Sequence, residues 1–220
     1  MKDTQIDKLI KAEAARQKKV INLIASENYV SEDVLEALGS ELTNKYGEGY
    51  PGRRYYRGTK VMDAIELLAQ KRARELFGLS EKEWGVNVQP LSGSPANFAV
   101  YAALVPTGLN ASGVGQGKIM GMTLSHGGHL THAQPVSMTG KFWKQVPYGV
   151  SQETELLDYD EVKNIAISEK PDIIVAGYTA YAHIIDFAKF RQIANEAKAL
   201  LMVDMAHFAG LVAGGVYPSP

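Results

Sequence analysis

The sequence predicts an α/β protein built on a largely parallel sheet that helices cover on both faces. Beyond about residue 85, short runs rich in Val, Ile and Met alternate with helical segments. Strands that are buried on both faces are near-continuous apolar runs of this kind. The 220 residues, 45% apolar and 21% charged, also suffice for one sizeable core of an ordinary globular protein.

The first 78 residues are predicted to hold three helices and one long loop. A helical pattern covers 4–19, and Ser31 is a predicted N-cap because two acidic residues follow it. The segment 44–59, dense in glycine and tyrosine, is predicted to be a loop. A long helix follows over 60–77 and ends at Gly78.

The rest of the chain is predicted to alternate between strands and helices. In chain order, the strands are predicted at 86–89, 118–123, 142–147, 172–176 and 200–204, and the helices at 95–104, 160–168 and 187–199. The glycine-rich segment 108–118 is predicted to be a surface loop. Its G-x-G-x-G pattern precedes a strand instead of joining a strand to a helix, so it does not fit a dinucleotide-binding fingerprint.

Charge and composition exclude several classes of partner. The formal net charge of -1 gives no basic surface for nucleic acid or an anionic membrane, and no apolar run approaches the roughly 18 residues of a membrane span. The N-terminus is charged and amphipathic, without the apolar core of a signal peptide. The lack of cysteine excludes disulfides and thiolate metal sites and fits a cytoplasmic protein. A small-molecule enzyme is therefore the default expectation.

Polar clusters follow four of the predicted strands, which is the first indication of a functional site. The clusters are LSGSPAN (91–97), LSHGGHLTH (124–132), GYTAYAH (177–183) and DMAH (204–207). In an open parallel sheet, ligands bind beyond the carboxyl ends of the strands. We therefore expect the four clusters to meet at one edge of the sheet.

The cluster LSGSPAN has the composition of a phosphate-binding helix start. Pro95 is expected at the first helical position, where its missing N–H costs nothing. Free backbone N–H groups, the helix dipole and the hydroxyls of Ser92 and Ser94 would then face an anion. The alternative interpretation is that Ser94 is merely an N-cap.

The three histidines of LSHGGHLTH allow two functional interpretations. Imidazole is a common zinc ligand, but His126, His129 and His132 lie in a loop broken by glycine, and no other ligand cluster accompanies them. We therefore predict no metal site. The second interpretation is that one imidazole lies flat on an aromatic ring, with Gly127 and Gly128 allowing a close backbone approach.

Asp204 and His207 follow a predicted buried strand and allow three interpretations. In the first interpretation, Asp204 is a helix cap and His207 is a surface histidine. In the second, they are two members of a hydrolase triad, although the sequence has no serine in a G-x-S-x-G elbow. In the third, Asp204 faces a protonated ring nitrogen and keeps it charged. Pyridoxal phosphate enzymes use a carboxylate in this way to make their cofactor an electron sink. A phosphate cradle, a stacking imidazole and a buried aspartate are together the groups that this cofactor needs.

Five segments together resemble those of serine hydroxymethyltransferase, a family of fold type I pyridoxal phosphate enzymes. They are LIASENYVS, LTNKYGEGYPGRRYY, LSGSPAN, LSHGGHLTH and VDMAHFAGLVAGGVYPSP, in order from about residue 20 to the end. The resemblance implies reversible transfer of the serine hydroxymethyl carbon to tetrahydrofolate, leaving glycine. It also implies a three-layer α/β/α large domain over 59–220, preceded over 1–58 by a helical segment and a loop that serves both dimerisation and the active site.

The resemblance assigns roles to individual positions. The cofactor would be held by Ser92, Gly93 and Ser94 at its phosphate, His129 stacked on its ring, Asp204 at the ring nitrogen, Thr179 and His207 near the ring hydroxyl, and Tyr46 of a neighbouring subunit near the phosphate. The substrates would be met by Ser26 at the carboxylate, Glu48 at the reacting hydroxymethyl group, Tyr56 of a neighbouring subunit, and Leu124, Gly128, His129 and Leu130 at the pterin. The catalytic groups would be Glu48, His129 and His207.

Several positions depart from the pattern of the family. Arg57 and Thr59 replace small residues, and Pro95 stands where glutamine is common. The loop 108–117 looks longer than usual. Ala133 replaces the usual glycine after LTH, near the expected cofactor face. None of these changes removes a residue that was assigned a role.

By the same resemblance, the lysine that binds the cofactor covalently lies just beyond Pro220, and the arginine that clamps the substrate carboxylate and a small C-terminal domain lie further on. We therefore expect the 220-residue chain alone to be inactive, and we expect a homodimer through the loop that carries Tyr46 and Tyr56.

Two other interpretations are a different fold type I enzyme, such as an aldolase or aminotransferase, and a non-catalytic truncated or partner-binding protein. The segment 42–56 counts heavily against the different enzyme.

Overall fold

The computed structural model describes residues 2–107 and 117–220. Its helices are α1 (Thr4–Gln17), α2 (Glu32–Leu38), α3 (Lys60–Leu76), α4 (Gly93–Leu104), α5 (Met138–Phe142), α6 (Tyr159–Glu169), α7 (Phe187–Ala197) and α8 (Ala209–Ala213). Its strands are β1 (Gly49–Tyr50), β2 (Arg53–Arg54), β3 (Lys118–Met122), β4 (Lys144–Tyr148), β5 (Ile173–Ala176) and β6 (Leu200–Val203). Most of the glycine-rich segment predicted at 108–118 lies outside the described residues.

Four strands form one parallel sheet in the order β4-β3-β5-β6. Helices lie between successive strands, so each connection crosses over the sheet and returns to the same edge. All four carboxyl ends therefore lie at one edge. The predicted parallel α/β fold is confirmed.

Alternate residues of the central strands supply two separate cores. Met120 and Ile174 point to the face that α6 and α7 cover, where Phe190 is fully buried. Their neighbours Ile119 and Ile173 point to the opposite face, which α4 covers. Because side chains alternate along a strand, continuous apolar runs of this kind fill both helical layers at once.

Three predictions about local structure are wrong. Residues 86–89 form no strand, because none of the sheet strands in the described part of the chain pairs with them. Helix α4 begins two residues early, so Pro95 is its third residue, where a missing N–H is still harmless. The strand predicted at 142–147 begins only at Lys144, because Phe142 ends α5.

The segment before α3 is almost entirely exposed. Among described residues before position 60, only Thr59 is buried, and α1 and α2 bury no residue. The predicted loop at 44–59 contains a short hairpin, β1–β2, whose strands have two residues each. Arg54 anchors this hairpin to α3 through ion pairs with Asp63 and Glu66. No helix within the described residues is long and apolar enough to cross a membrane.

Candidate active site

The carboxyl ends of β5 and β6, the N-terminus of α4 and the segment 25–28 enclose a cavity of about 510 Å³. This volume suits a small organic ligand. Eight of the residues predicted from the sequence line it: Ser26, Ser92, Gly93, Ser94, His129, Thr179, Asp204 and His207. The structure thus brings residues of all four polar clusters together. Three of the clusters follow β3, β5 and β6, whereas LSGSPAN reaches the cavity through the start of α4, since the residues just before it form no strand.

The N-terminus of α4 presents free hydrogen-bond donors to the cavity. Ser92, not Ser94, is the N-cap, and its side chain caps no backbone group. The N–H groups of Gly93 and Ser94 have no intrahelical acceptor because they lie in the first turn. These two donors, two hydroxyls and the helix dipole form a site suited to a phosphate group.

Asp204 is placed at the cavity by the pairing of β6 with β5. Its N–H donates to the carbonyl of Ala176 at 2.8 Å. Gly177 makes this approach possible, because its φ is +103° and a Cβ there would lie 2.0 Å from the carbonyl oxygen of Asp204. The carboxylate accepts hydrogen bonds from Asn97 Nδ2 at 2.9 Å and from the N–H of Ala206 at 3.2 Å.

Asp204 stays ionised despite its partial burial. Burial by itself would raise the pKa of this carboxyl, but hydrogen bonds from His132, Asn97 and the N–H of Ala206 outweigh it and leave the pKa well below its ordinary value. A carboxylate held in this state is a fixed negative charge at the floor of the cavity.

His132 supports Asp204 from the sheet side. Its Nε2 lies 3.4 Å from Asp204 Oδ2, and its side chain is only 1% exposed. Gly121 provides the space, because a Cβ there would lie 2.7 Å from the Cβ of His132. His132 Nδ1 accepts from the N–H of His129 at 3.3 Å, so the ring proton is on Nε2 and points at the carboxylate.

His129 is held by its neighbour Thr131. Its Nδ1 lies 2.8 Å from Thr131 Oγ1 and 3.2 Å from the N–H of Thr131. Burial, followed by the nearby His132, lowers the pKa of His129 below its ordinary value. The ring is therefore neutral at pH 7 and can stack on an aromatic ligand.

Thr179 supplies a buried polar atom without a partner. Its Oγ1 is inaccessible and has no hydrogen-bond partner among the described residues. Its N–H donates to the carbonyl of Gly127 at 2.8 Å, which ties the end of β5 to the loop after β3. Thr179 thus contributes to the cavity lining, while its hydroxyl oxygen is covered by neighbouring atoms.

Two groups of predicted residues lie outside the lining of this cavity. Tyr46, Glu48 and Tyr56 belong to the exposed hairpin region, where the rings of Tyr46 and Tyr56 meet edge to face at 5.2 Å. The residues predicted to contact the pterin, Leu124, Gly128 and Leu130, flank His129; the two leucines are exposed and Gly128 is buried.

The three histidines of the loop after β3 face different partners. His126 Nδ1 accepts from the N–H of Val150 at 3.0 Å, whereas His129 bonds to Thr131 and His132 to Asp204. Within residues 2–107 and 117–220, no group of three or more potential ligands is arranged to hold a metal ion.

No role was predicted from the sequence for Asn97 or Thr131, and His132 was considered only as one of three imidazoles that could bind a metal or stack on an aromatic ring. Asn97 is 107 positions from Asp204 in sequence, so nothing local indicates that their side chains meet. The available signal was that Asn97 lies one turn into α4, on the helix whose N-terminus was already a candidate site.

The fold and the cavity define an α/β protein with a cavity at the carboxyl edge of a parallel sheet, lined by a helix start suited to an anion, an imidazole and an ionised carboxylate. The family model of serine hydroxymethyltransferase matches residues 1–220. The chain therefore belongs to the serine hydroxymethyltransferase family, whose members are fold type I pyridoxal phosphate enzymes.

Curated relatives agree with this assignment. The chain is 56% identical to serine hydroxymethyltransferase of Desulfotalea psychrophila, 54% to serine hydroxymethyltransferase 1 of Pseudomonas fluorescens and 53% to serine hydroxymethyltransferase of Koribacter versatilis, in each case over 99% of this chain. The matches cover 48%, 50% and 48% of those proteins, so the chain spans about half the length of the relatives that it matches.

Proposed function

We propose that the cavity binds pyridoxal 5'-phosphate and forms part of an active site that transfers the hydroxymethyl carbon of serine to tetrahydrofolate, leaving glycine. The observation that carries the proposal is the meeting of an anion-binding helix start, a neutral imidazole and an ionised carboxylate in one cavity. This cofactor has a phosphate, an aromatic face and a ring nitrogen for these three groups.

The residues present fit the cofactor. Ser92, Gly93 and Ser94 would hold its phosphate at the free N–H groups of α4, and His129 would stack on its ring. Asp204 would keep the ring nitrogen protonated, because the carboxylate is already ionised and hydrogen-bonded. Thr179, which lines the same cavity, would lie near the ring hydroxyl. Bound in this way, the cofactor supplies an electron sink for charge that develops at the substrate α-carbon.

The remaining lining residues suit an amino-acid substrate. Ser26 supplies a hydroxyl for the substrate carboxylate, and His207 lies on the same cavity wall as Asp204, where it can hold or pass a proton. No lysine lines the cavity within the described residues. A lysine that held the cofactor covalently would therefore have to reach the cavity from outside this lining.

The folate would enter beside His129. Leu124 and Leu130 are 50% and 43% exposed and flank the same loop, so they offer apolar surface for a pterin. Gly128 is packed against the backbone of Met122, so it would shape this surface by its lack of a side chain. Glu48 would assist proton transfer at the hydroxymethyl group from a second subunit.

We also propose a cytoplasmic homodimer with 1–58 as the exchanging segment. Tyr46, Glu48 and Tyr56 would complete the site of the other subunit, since they lie outside the cavity of their own. Exposed apolar side chains in the same segment, such as Leu23 at 89% and Leu38 at 69%, give the subunits surface to bury.

Fluorescence titration with pyridoxal 5'-phosphate tests the cofactor assignment. We expect Asp204→Ala to weaken binding about 10- to 100-fold, because a charge-assisted hydrogen bond to the ring nitrogen is lost. Asp160→Ala, which removes an exposed carboxylate of α6, is the matched control and should bind as the wild type does. Equal affinity in wild type and Asp204→Ala would show that the site assignment is wrong.

A further inference from the structure

We propose that Asn97 is a positioning residue that fixes the ring-nitrogen partner and the stacking imidazole in one hydrogen-bonded unit, and so sets the tautomer of His129 before any cofactor binds. The inference rests on the proposed function, since it concerns the same site. It depends, however, only on contacts among Asn97, Thr131, His129, His132 and Asp204.

The side-chain amide of Asn97 uses both of its hydrogens. Nδ2 lies 2.9 Å from Asp204 Oδ2 and 2.8 Å from Thr131 Oγ1, and Asn97 is buried. The opposite amide orientation would place Oδ1 against an ionised carboxylate. The amide therefore donates to both groups.

The direction of the next hydrogen bond follows from the first. Thr131 Oγ1 accepts from Asn97, so its own proton is free to go to His129 Nδ1 at 2.8 Å. The N–H of Thr131 also donates to Nδ1, at 3.2 Å. Because Nδ1 accepts from both donors, the proton of the neutral His129 ring is on Nε2.

A second series of hydrogen bonds connects His129 to Asp204 through His132, so that the network forms a closed cycle. The N–H of His129 donates to His132 Nδ1 at 3.3 Å, and His132 Nε2 reaches the same Asp204 Oδ2 at 3.4 Å. Backbone N–H groups are obligate donors, so the direction of this series is also fixed. Both series of hydrogen bonds end on Asp204 Oδ2, and rotating any one of these side chains would break at least two hydrogen bonds.

The consequence is that two states needed for cofactor binding are set together. Asp204 is ionised, and His129 is a neutral ring that carries its proton on Nε2. Protonating His129 at Nδ1 would require the hydroxyl of Thr131 to turn away. The charged or titratable groups near the His129 ring are His132, His207 and Asp204. Burial, followed by the two histidines, lowers the pKa of His129, whereas Asp204 acts in the opposite direction.

Nitrogen NMR of the ¹⁵N-labelled chain, without cofactor, tests the inference. Long-range imidazole spectra should show His129 with an unprotonated Nδ1 and a protonated Nε2 at pH 7, and a titration midpoint below the ordinary value of about 6.5. Variants that replace each histidine in turn assign the signals. His126, whose Nδ1 also accepts from a backbone N–H, is an internal reference for this tautomer.

Four substitutions separate positioning from general stability. Thr131→Val should give a mixture of His129 tautomers and raise its midpoint by about half to one pH unit, since the hydroxyl bond to the neutral ring is lost. Asn97→Ala should act in the same direction but less, since the Thr131 hydroxyl stays and only its orientation is no longer fixed. Thr131→Ser should restore the wild-type spectrum. Thr139→Val, which removes a similarly buried hydroxyl outside the network, should leave His129 unchanged.

Each outcome decides between distinct claims. A charged His129 at pH 7, a proton on Nδ1, or a His129 spectrum and midpoint that stay unchanged in folded Thr131→Val or folded Asn97→Ala would overturn the inference. Pyridoxal 5'-phosphate binding by the same samples is measured separately. If the cofactor binds in a way that depends on Asp204 but His129 lacks the Nε2 tautomer, the proposed function stands and the inference about Asn97 is refuted. If His129 has the Nε2 tautomer but the cofactor does not bind, the proposed function is refuted and the hydrogen-bond network stands.

Discussion

Ala133 carries backbone strain that glycine would not. Its φ is +59°, in the left-handed region, although the residue is completely buried in the core beneath α4. Ala133 does not line the cavity, although the sequence placed it near the expected cofactor face. Its effect is therefore expected on stability. Left-handed backbone costs an alanine roughly 1 to 2 kcal/mol.

We predict that Ala133→Gly changes the free energy of unfolding by less than about 1 kcal/mol, because relief of strain offsets the lost methyl burial. Ala166→Gly, at an equally buried alanine within α6, should cost about 1.5 to 2 kcal/mol, because helix propensity and burial are lost together. Urea unfolding measures both. Equal losses at the two positions would contradict the strain at Ala133.

The candidate site could be predicted in part at this scale. Asp204 and His129 were identifiable because each follows a strand and belongs to a recognisable motif. Ser92 was identifiable from its motif alone, since the strand predicted before it does not form. Asn97 and Thr131 were not, because their roles arise from contacts between distant parts of the chain. A motif thus indicates which groups meet a ligand, whereas the groups that orient them emerge only from the fold.

Among the elements, the hairpin β1–β2 is held in place by one side chain, Arg54. Arg54 is almost fully buried, with Nη1 donating to the carbonyls of Gly47 and Gly49, Nε to Asp63 and Nη2 to Glu66. The two carboxylates lie on α3. The segment that carries Tyr46, Glu48 and Tyr56 is therefore fastened to a rigid helix.

We predict that Arg54→Lys loosens the hairpin, because an ammonium cannot reproduce the planar array of donors. Amide hydrogen exchange should rise severalfold at Gly52, which donates to Asp63, and at Tyr55, which donates to the carbonyl of Glu48. Arg53→Lys, on the neighbouring exposed position, is the control. Unchanged exchange at both amides in Arg54→Lys would refute the role of the guanidinium.

Elements with strong local signals were predicted well. Helix α6 runs from Tyr159 to Glu169 against a prediction of 160–168, since the N-cap Asp158 and the apolar stripe are both local. The strand predicted at 86–89 was wrong for the opposite reason. A strand forms only where another strand can pair with it, and a short apolar run in the sequence does not show whether such a partner exists.

At the scale of the whole molecule, exposed apolar side chains are concentrated in residues 2–58, the segment that precedes the sheet domain. Helices α1 and α2 bury none of their residues, although Leu9, Leu23 and Leu38 lie in this segment. Apolar side chains that no described element covers are typical of an interface. The fold class followed from the pattern of strands and helices, but the partner of this surface did not.

We predict that the chain self-associates through residues 1–58. Sedimentation at high micromolar concentration should give a dimer, and Leu23→Glu combined with Leu38→Glu should shift it towards monomer, because charges would be buried at the interface. Leu156→Glu, at an exposed leucine outside this segment, is the control. A wild-type chain that is monomeric throughout would argue against the dimer, or show that dimerisation needs residues outside this chain.

The last prediction is that residues 1–220 alone do not convert serine. No lysine lines the cavity among the described residues, so the chain has no amine placed to bond to the cofactor and deliver the substrate by exchange. A loosely held cofactor and substrate would also lack orientation, which can contribute on the order of 7 to 11 kcal/mol to lowering a barrier.

Tetrahydrofolate-dependent glycine formation by the purified chain is the measurement, with the full-length relative from Desulfotalea psychrophila as positive control. Borohydride reduction runs beside it, because it fixes any imine between the cofactor and a lysine. We expect no turnover and no specific attachment, together with reversible cofactor binding that depends on Asp204. Substantial turnover, or reduced cofactor on one defined lysine of the chain, would show that an amine within residues 1–220 reaches the cavity in solution.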